Sequence, residues 1–439
     1  MMNVLVISGQ PPLTTSGIAA WDFHTNLLQH GDSSKFLTLQ YESEDPSIIS
    51  YFSSETAKFL FLVKRRLFRK RISRVDKTYY YNGETLIPPF VSTRTIIQKL
   101  QGFKPDVIVI FFEKRFITAQ TLHELYRETG APVYWYLMDM QPMTGGCAYA
   151  QACTGYQRQC GRCPAIYSND PNDITARNLE TARFYYDKTD LTIIAASEQL
   201  RNQASASTLF KNKRIVKIPL GINERLFKPL EEEQRRTVRV QYGLPVDKKL
   251  IFLGAVSLSE KRKGAAFLLD AFQQLCQADQ GKSAIEKAAI VIAGNSGQQL
   301  KSQLEQLTDF ALPIYVLGFL STYEALGEVL GASDIFVSAS IEDAGPMMVN
   351  QAVMCGTPVV AFNIGVAQDL VLDDISGVNA GTISSQQLAE GITHLLRIPP
   401  KQFSELREKT ATLGHRSCAL GTNYQAFKKL LTSETKCLS

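Results

Sequence analysis

The stretch Ser340–Phe362 reads SIEDAGPMMVNQAVMCGTPVVAF. Asp343 stands eight positions ahead of Gln351, and the residues between them open like a helix. Pro346 suits a first helical turn, where its missing N–H would have no partner anyway. The free N–H groups of such an end attract an anion such as phosphate. An acid just ahead of it can hold sugar hydroxyls, and a polar side chain two turns along can reach a ribose. CGTPVVAF then returns the chain to a buried strand. The local pattern is strand, loop, helix, strand.

The same rhythm runs outward in both directions. In the first half, strands are expected at Asn3–Ser8, Phe36–Gln40, Asp106–Phe112, Val133–Leu137 and Leu191–Ala196. Helices are expected at Ile18–Gln29, Thr93–Leu100, Ala119–Thr129 and Glu198–Leu209. The second half repeats the alternation. Its strands are expected at Leu250–Gly254, Ala289–Ala293, Ile314–Gly318, Ile335–Ser338 and Pro358–Phe362, and its helices at Ala265–Ala278, Gln298–Leu307, Tyr323–Leu330, Pro346–Met354 and Ser385–Leu395. Such alternation implies parallel sheets covered on both faces. Between the two series, IPLGINERLFKP (Ile218–Pro229) and the charge-dense Glu231–Arg239 interrupt the rhythm. The expected organisation is α/β, with two doubly wound Rossmann-like domains facing a cleft. A first domain would span 1–218, a linker 219–247, and a second domain 248–398. Helices over 399–439 would follow. Ligands of such sheets bind beyond the carboxyl ends of the strands, so the cleft is the expected site.

A chain of 439 residues is too long for one ordinary core. Its composition, 45% hydrophobic and 20% charged, is that of a globular protein. The formal charge of +5 is too mild to argue for nucleic acid. MMNVLVISG reads as a short strand, not as a basic leader with a cleavage site, and no window approaches the roughly 20 apolar residues of a membrane span. A cytoplasmic chain is expected. Of eight Cys, four fall within 17 residues, which argues against general disulfide stapling.

The segment around Asp343 and Gln351 resembles the acid-x7-acid signature of the retaining family-4 glycosyltransferases of GT-B fold. With ED, Pro and CGTPVVAF, it looks most like enzymes of bacterial exopolysaccharide assembly. The family usually has Glu at both ends of the signature, where this chain has Asp343 and Gln351. The resemblance is specific over residues 250–380 and looser before them. It implies transfer of a hexose from a nucleotide diphosphate sugar to a growing, lipid-linked glycan, with no cofactor or metal needed for the chemistry. It also implies that the helices over 399–439 cross back onto the first domain.

Several constellations take roles under that resemblance. Ser259–Gly264, SEKRKG, would place Lys263 and Arg262 beside the donor diphosphate, where cations neutralise a leaving nucleotide. The family's Arg after the strand Gly is missing, because Ala255 follows Gly254. Asp343, with Glu342 as second choice, would hold donor-sugar hydroxyls; Gly345, Pro346, Met347 and Met348 would take the diphosphate, and Gln351 the ribose. Gly294 and Asn295 would lie near the donor sugar and phosphate, and Phe319 and Leu320 would clamp the base. A Gly after a strand is also plain turn chemistry.

In the first half, SGQPPLTTSGIA lacks dinucleotide GxGxxG spacing. Ser16 and Gly17 match a loop facing the donor sugar, and Ser16 reads equally well as a helix N-cap. In YLMDMQPMTGG, Met138 stands where many relatives carry His, leaving Asp139 to orient acceptor or sugar, or to be structural. Gly145 belongs to the retained TGG. A retaining front-face transfer needs no His base, because the departing phosphate oxygen can accept the acceptor proton.

Cys147, Cys153, Cys160 and Cys163, in an insertion at about 144–165, can satisfy a tetrahedral structural Zn²⁺. Disulfides and free thiols are the alternatives. Lys58–Lys77 carries seven Lys/Arg between Lys64 and Arg74, interleaved with Leu67, Phe68 and Ile72. That pattern suits an anionic membrane surface, such as the inner face of the plasma membrane, or simply a solvated face. No RNA-reading motif accompanies it. Two other readings stay open: a catalytically degenerate scaffold or partner subunit, and a sugar-nucleotide epimerase of the same fold.

Overall fold

The computed structural model describes residues 1–15, 17–68, 72, 74–82, 91–112, 116–277, 285–308, 310–345 and 347–435. The chain divides into two compact units. Unit 1 comprises Met1–Ala196, Leu200–Ile218 and Ala426–Ser439; unit 2 comprises Ser197–Gln199 and Pro219–Gln425.

Unit 1 is built on β1 (Asn3–Ser8), β2 (Ser33–Thr38), β3 (Ile48–Ser50), β4 (Val107–Phe112), β5 (Val133–Leu137), β6 (Leu191–Ala195) and β7 (Arg214–Lys217). They form one sheet of order β3-β2-β1-β4-β5-β6-β7, and every neighbouring pair is parallel. Unit 2 has β8 (Lys249–Gly254), β9 (Ala288–Ala293), β10 (Ile314–Gly318), β11 (Ile335–Ser338), β12 (Val359–Ala361) and β13 (Gly377–Asn379), in the order β10-β9-β8-β11-β12-β13, again all parallel. Central strands such as β5 (VYWYL) and β9 (AAIVIA) are buried along their whole length. They therefore read as unbroken apolar runs, as strands covered on both faces must. Each large side chain so buried contributes roughly 1.5–3 kcal/mol.

In unit 2, helices Ala265–Gln277 and Ser385–Arg397 pack on one face of the sheet, with Leu268, Phe272, Leu388 and Ile392 in the core. Helices Tyr323–Ala332 and Met347–Met354 cover the other, through Val329, Leu330, Val349 and Val353. The strand order reverses between β8 and β11 in this sheet and between β1 and β4 in the other. In doubly wound sheets that reversal opens a crevice at the carboxyl ends.

Residues 219–247, expected as a linker, fall in unit 2 and contain the helix Glu232–Gln241. Arg235 and Arg239 of that helix are buried against Asp334, so its charges are core contacts and not a solvated spacer. The segment 399–439 does not all return to the first unit. Helix Pro400–Cys418 stays in unit 2 beside Met347–Met354. Only the part from Ala426 joins unit 1, where Phe427 packs on Phe23 and Tyr134.

Candidate functional site

The strand reversal in unit 2 puts two loops side by side: Ala255–Gly264 after β8, and the loop after β11 that carries Asp343. Backbone contacts fix them together. Ile341 N–H donates to the Arg262 carbonyl at 2.8 Å. Gly264, at φ +70°, lies so close to Ala339 that an added Cβ would sit 1.8 Å from its carbonyl oxygen. A glycine is required there on both counts.

Three side chains converge on this seam. Asp343 Oδ2 accepts from Lys263 Nζ at 2.6 Å and from Arg262 Nη1 at 2.8 Å. Arg262 also pairs with Glu260 at 2.9 Å. The Asp343 side chain is 8% exposed, against 16% for Arg262 and 17% for Lys263. Burial alone would push the Asp343 carboxyl up, but Lys263 and Arg262 outweigh it and hold its pKa below the usual carboxylate value. In this arrangement the Asp343 carboxylate, expected to hold sugar hydroxyls, pairs with the two cations. The charges of Arg262 and Lys263 are matched locally by Asp343 and Glu260.

Other predicted residues gather around this seam. Met348, on the first turn of the helix Met347–Met354, lies over Gly254 at the end of β8, within 2.5 Å of where a Cβ would stand. Gly345 N–H donates to Asp343 Oδ1 at 3.3 Å. Glu342 is partly exposed, and Gln351, on the second turn, is buried. Gly294, at φ +134°, abuts the Ala255 carbonyl, and Asn295 N–H donates to the Val256 carbonyl. The turn after β9 is thus laced to the loop after β8. Gly294 N–H donates to the Gly318 carbonyl, which brings the start of the Phe319–Leu320 loop to the same end of the sheet. Phe319 is exposed there. Pro346 lies outside the described residues.

In unit 1, Ser16 likewise lies outside them. The helix Ile18–Gln29 takes Gly17 as its N-cap, without a side-chain bond. Gly17 is pressed against the Pro11 carbonyl, 1.9 Å from a would-be Cβ. Asp139 accepts from Gln141 N–H at 2.8 Å. Gly145 is packed against Thr175, and its carbonyl accepts from Asn178 Nδ2 at 3.0 Å. Cys147, Cys153, Cys160 and Cys163 are unpaired thiols around one small cavity. Among the described residues, no group of three or more His, Cys, Asp or Glu is drawn together closely enough to hold a metal.

Of the basic stretch Lys58–Lys77, the residues 69–71 and 73 are outside the description. The helix Glu55–Phe68 buries Phe61 against Phe52 and leaves Phe59, Leu60, Val63 and Leu67 exposed, at 64% for Phe59 and 78% for Leu67. Phe59, Val63 and Leu67 recur every four residues, along one stripe. Among the described residues, no helix is long and apolar enough to cross a membrane.

Sequence reasoning missed Arg235, Arg239 and Asp334. Their only signal was the Arg pair at i,i+4, which looks like solvent-facing charge until Asp334, about a hundred residues on, is brought to it.

Residues 234–413 match the family "Glycosyl transferases group 1". An uncharacterized glycosyltransferase of Methanocaldococcus jannaschii is 23% identical over 246 residues, covering 55% of this chain and 58% of that protein. A GDP-mannose-dependent alpha-(1-6)-phosphatidylinositol dimannoside mannosyltransferase of Mycobacterium tuberculosis is 28% identical over 184 residues, 42% of each chain. The match thus spans about half the length of these relatives. Among solved structures, sucrose-phosphate synthase from Thermosynechococcus elongatus superimposes with a TM-score of 0.68 at 15% identity over 100% of both chains. HepE of Anabaena, in complex with UDP-glucose, gives 0.63 at 15%, covering 99% of this chain and 100% of that one. The expected GT-B fold class is the one these neighbours share.

Proposed function

Taking residues 234–413 as a group 1 glycosyltransferase domain, we propose that this chain is a retaining hexosyltransferase. It moves a hexose from a nucleotide diphosphate sugar to a growing, lipid-linked exopolysaccharide or cell-surface glycan, and it works in the cytoplasm at the inner face of the plasma membrane. One observation carries the donor half of this reading. Lys263 and Arg262 both pair with Asp343 at the strand reversal of unit 2, in the loop that leads into the helix Met347–Met354, where a diphosphate would find two cations and a helix end together.

In this mechanism, Lys263 and Arg262 take diphosphate oxygens while Asp343 holds the two cations in register. Glu342 takes the sugar hydroxyls and Gln351 the ribose. The bond from the anomeric carbon to the phosphate oxygen breaks as the acceptor oxygen bonds on the same face, and the acceptor proton passes to the departing phosphate. Gly17, Asp139 and Gly145 are assigned to the acceptor. A lipid-linked acceptor fits the exposed Phe59/Val63/Leu67 stripe with its flanking cations. It also fits the name of the mycobacterial relative, a phosphatidylinositol dimannoside mannosyltransferase.

A thermal-shift screen with uridine, guanosine and adenosine diphosphate sugars tests the donor half. A donor at 100 times its Kd adds about 2.7 kcal/mol, and a chain shifted by none of them is not this enzyme. Because Asp343 and Glu260 already balance the two cations, a degenerate scaffold is the second reading. Binding without hydrolysis or transfer to a membrane extract would favour it, and turnover of donor with no acceptor would indicate an epimerase. For the membrane half, the doubly substituted Phe59→Glu, Leu67→Glu chain should lose most of its co-sedimentation with anionic vesicles. Equal binding by both chains would remove that assignment.

A further inference from the structure

The segment between β5 and the helix Ile174–Tyr186 has no strand or α-helix of its own, only 3-10 turns such as Gly155–Gln157 and Pro164–Ile166. The 36 residues 138–173 of irregular chain are unusual inside a compact unit without something to tie them down. Gln151, Arg162 and Tyr167 all adopt left-handed backbone angles in it, each at a cost of order 1 kcal/mol or more. Such a conformation persists only where its surroundings hold it.

Cys147, Cys153, Cys160 and Cys163 all line one small cavity of about 20 Å³, together with Tyr81, Gly145 and Gly155. That is room for a single small occupant. Donors ring the sulfurs. Gly155 N–H donates to Cys153 Sγ at 3.4 Å, and the backbone at Gly145 reaches Cys160. The backbone at Ala165 and Ile166 reaches Cys163. The Tyr81 hydroxyl is buried with no partner. A neutral thiol is a weak acceptor and gains little from so many donors. Four thiolates around a dication carry a net charge of −2, which such a ring would offset. The unused Tyr81 O–H is one more donor for it.

We propose that Cys147, Cys153, Cys160 and Cys163 bind one structural Zn²⁺ that fixes this loop. No three of the sulfurs are yet drawn in far enough to grip an ion, so binding pulls them to about 2.3 Å from the metal. Each thiol that becomes a ligand gives its proton to solvent. With four protein sulfurs bound, no coordination position stays open, so the ion shapes the loop and takes no part in transfer.

The test uses the full chain purified without chelator or oxidant. Metal analysis should find about one zinc per chain, released by a thiol-blocking mercurial, and cobalt exchange should produce the strong visible bands of a tetrahedral thiolate site. The Cys153→Ser, Cys160→Ser chain should hold less than a fifth of that zinc, whereas Cys276→Ser, in unit 2, should keep it. Zinc-free wild-type protein that also takes up no cobalt overturns the proposal. So does zinc that survives the double substitution, or a denatured thiol count short by four, which would mean disulfides.

Discussion

Strand β11 carries a buried aspartate near each end, and each aspartate is gripped by two cations. Asp334, just before the strand, binds Arg235 at 2.5 Å and Arg239 at 2.8 Å. Asp343, just beyond the strand, binds Arg262 at 2.8 Å and Lys263 at 2.6 Å. The pairings are alike, but their settings are not. At the amino end, Arg239 also donates to the carbonyls of Ala332 and Lys248, and Asp334 accepts from Leu250 N–H. That cluster stitches the helix Glu232–Gln241 to the sheet. At the carboxyl end the cations are about twice as exposed, and the loops bearing them turn on glycines. One cluster holds the fold; under the proposed function, the other exchanges partners with the donor. The direction of the strands decides which is which, since ligands of parallel sheets bind at their carboxyl ends.

The largest expected effect tests that contrast by stability. Asp334→Ala leaves the buried Arg239 without a carboxylate and Arg235 with only the exposed Glu232, and should cost about 3–5 kcal/mol. Asp343→Ala should cost about 1 kcal/mol, because Arg262 and Lys263 can turn toward solvent. Urea unfolding followed by circular dichroism measures both. Trp21 and Trp135, the chain's two tryptophans, lie in unit 1, so the fluorescence transition serves as the internal control. Equal losses at the two aspartates would erase the distinction.

Acid should separate the two units next. His24 in unit 1 is fully buried between the Ser34 and Ser47 hydroxyls. Burial lowers its pKa to about 4, with Asp45 opposing and Lys35 assisting. The unfolded chain takes up this proton below about pH 6.5 and the folded chain only below about 4. The unfolded state thus binds more protons between those limits, and unit 1 should lose roughly 3 kcal/mol as pH falls through them. Asp334 and Asp343 have lowered pKa values, so they stay ionised across that window, and their stability is lost only at still lower pH. The tryptophan transition should therefore move well ahead of the remaining dichroism between pH 7 and 4.5. Coincident movement would contradict the assignment to His24.

How much of this was legible follows from burial. The central strands and the helix Ala119–Thr129 were readable because burial on both sheet faces, or along one helix stripe, leaves an unbroken apolar pattern. The edge strands β3 (IIS), β7 (RIVK) and β13 (GVN) were not, because short, partly solvated strands carry no such pattern. Arg262, Lys263 and Asp343 were found individually, each beside a glycine or proline turn. Their mutual pairing was hidden, because about eighty residues separate the cations from the acid. The same distance effect made Arg235 and Arg239 look like linker charge.

Donor affinity sharpens the contrast by chemistry. Lys263→Met removes a charged hydrogen bond worth about 1.5–3 kcal/mol, so affinity for the nucleotide sugar should fall about tenfold to a hundredfold. The urea midpoint should scarcely move. Arg239→Met should do the reverse, leaving donor affinity intact in the chain that still folds. Titration calorimetry on both chains decides whether the carboxyl-end cations alone meet the donor.

The smallest effect is the most discriminating, because its sign is at stake. Asp343→Asn keeps the shape of the side chain but removes the negative charge that now faces Lys263 and Arg262 at 2.6 and 2.8 Å. If that carboxylate is the internal counter-anion of a diphosphate site, the cations are left with more charge for the ligand. A partly screened charge at this range is worth about 1 kcal/mol, so free nucleoside diphosphate should bind about fivefold more tightly. The gain should shrink as added salt screens the site. Transfer should slow all the same, since cations no longer held in register would meet the phosphate in the wrong geometry. Weaker binding of the nucleoside diphosphate would instead mean that Asp343 is needed to position the cations for any ligand, and the likeness to Asp334 would then outweigh the difference.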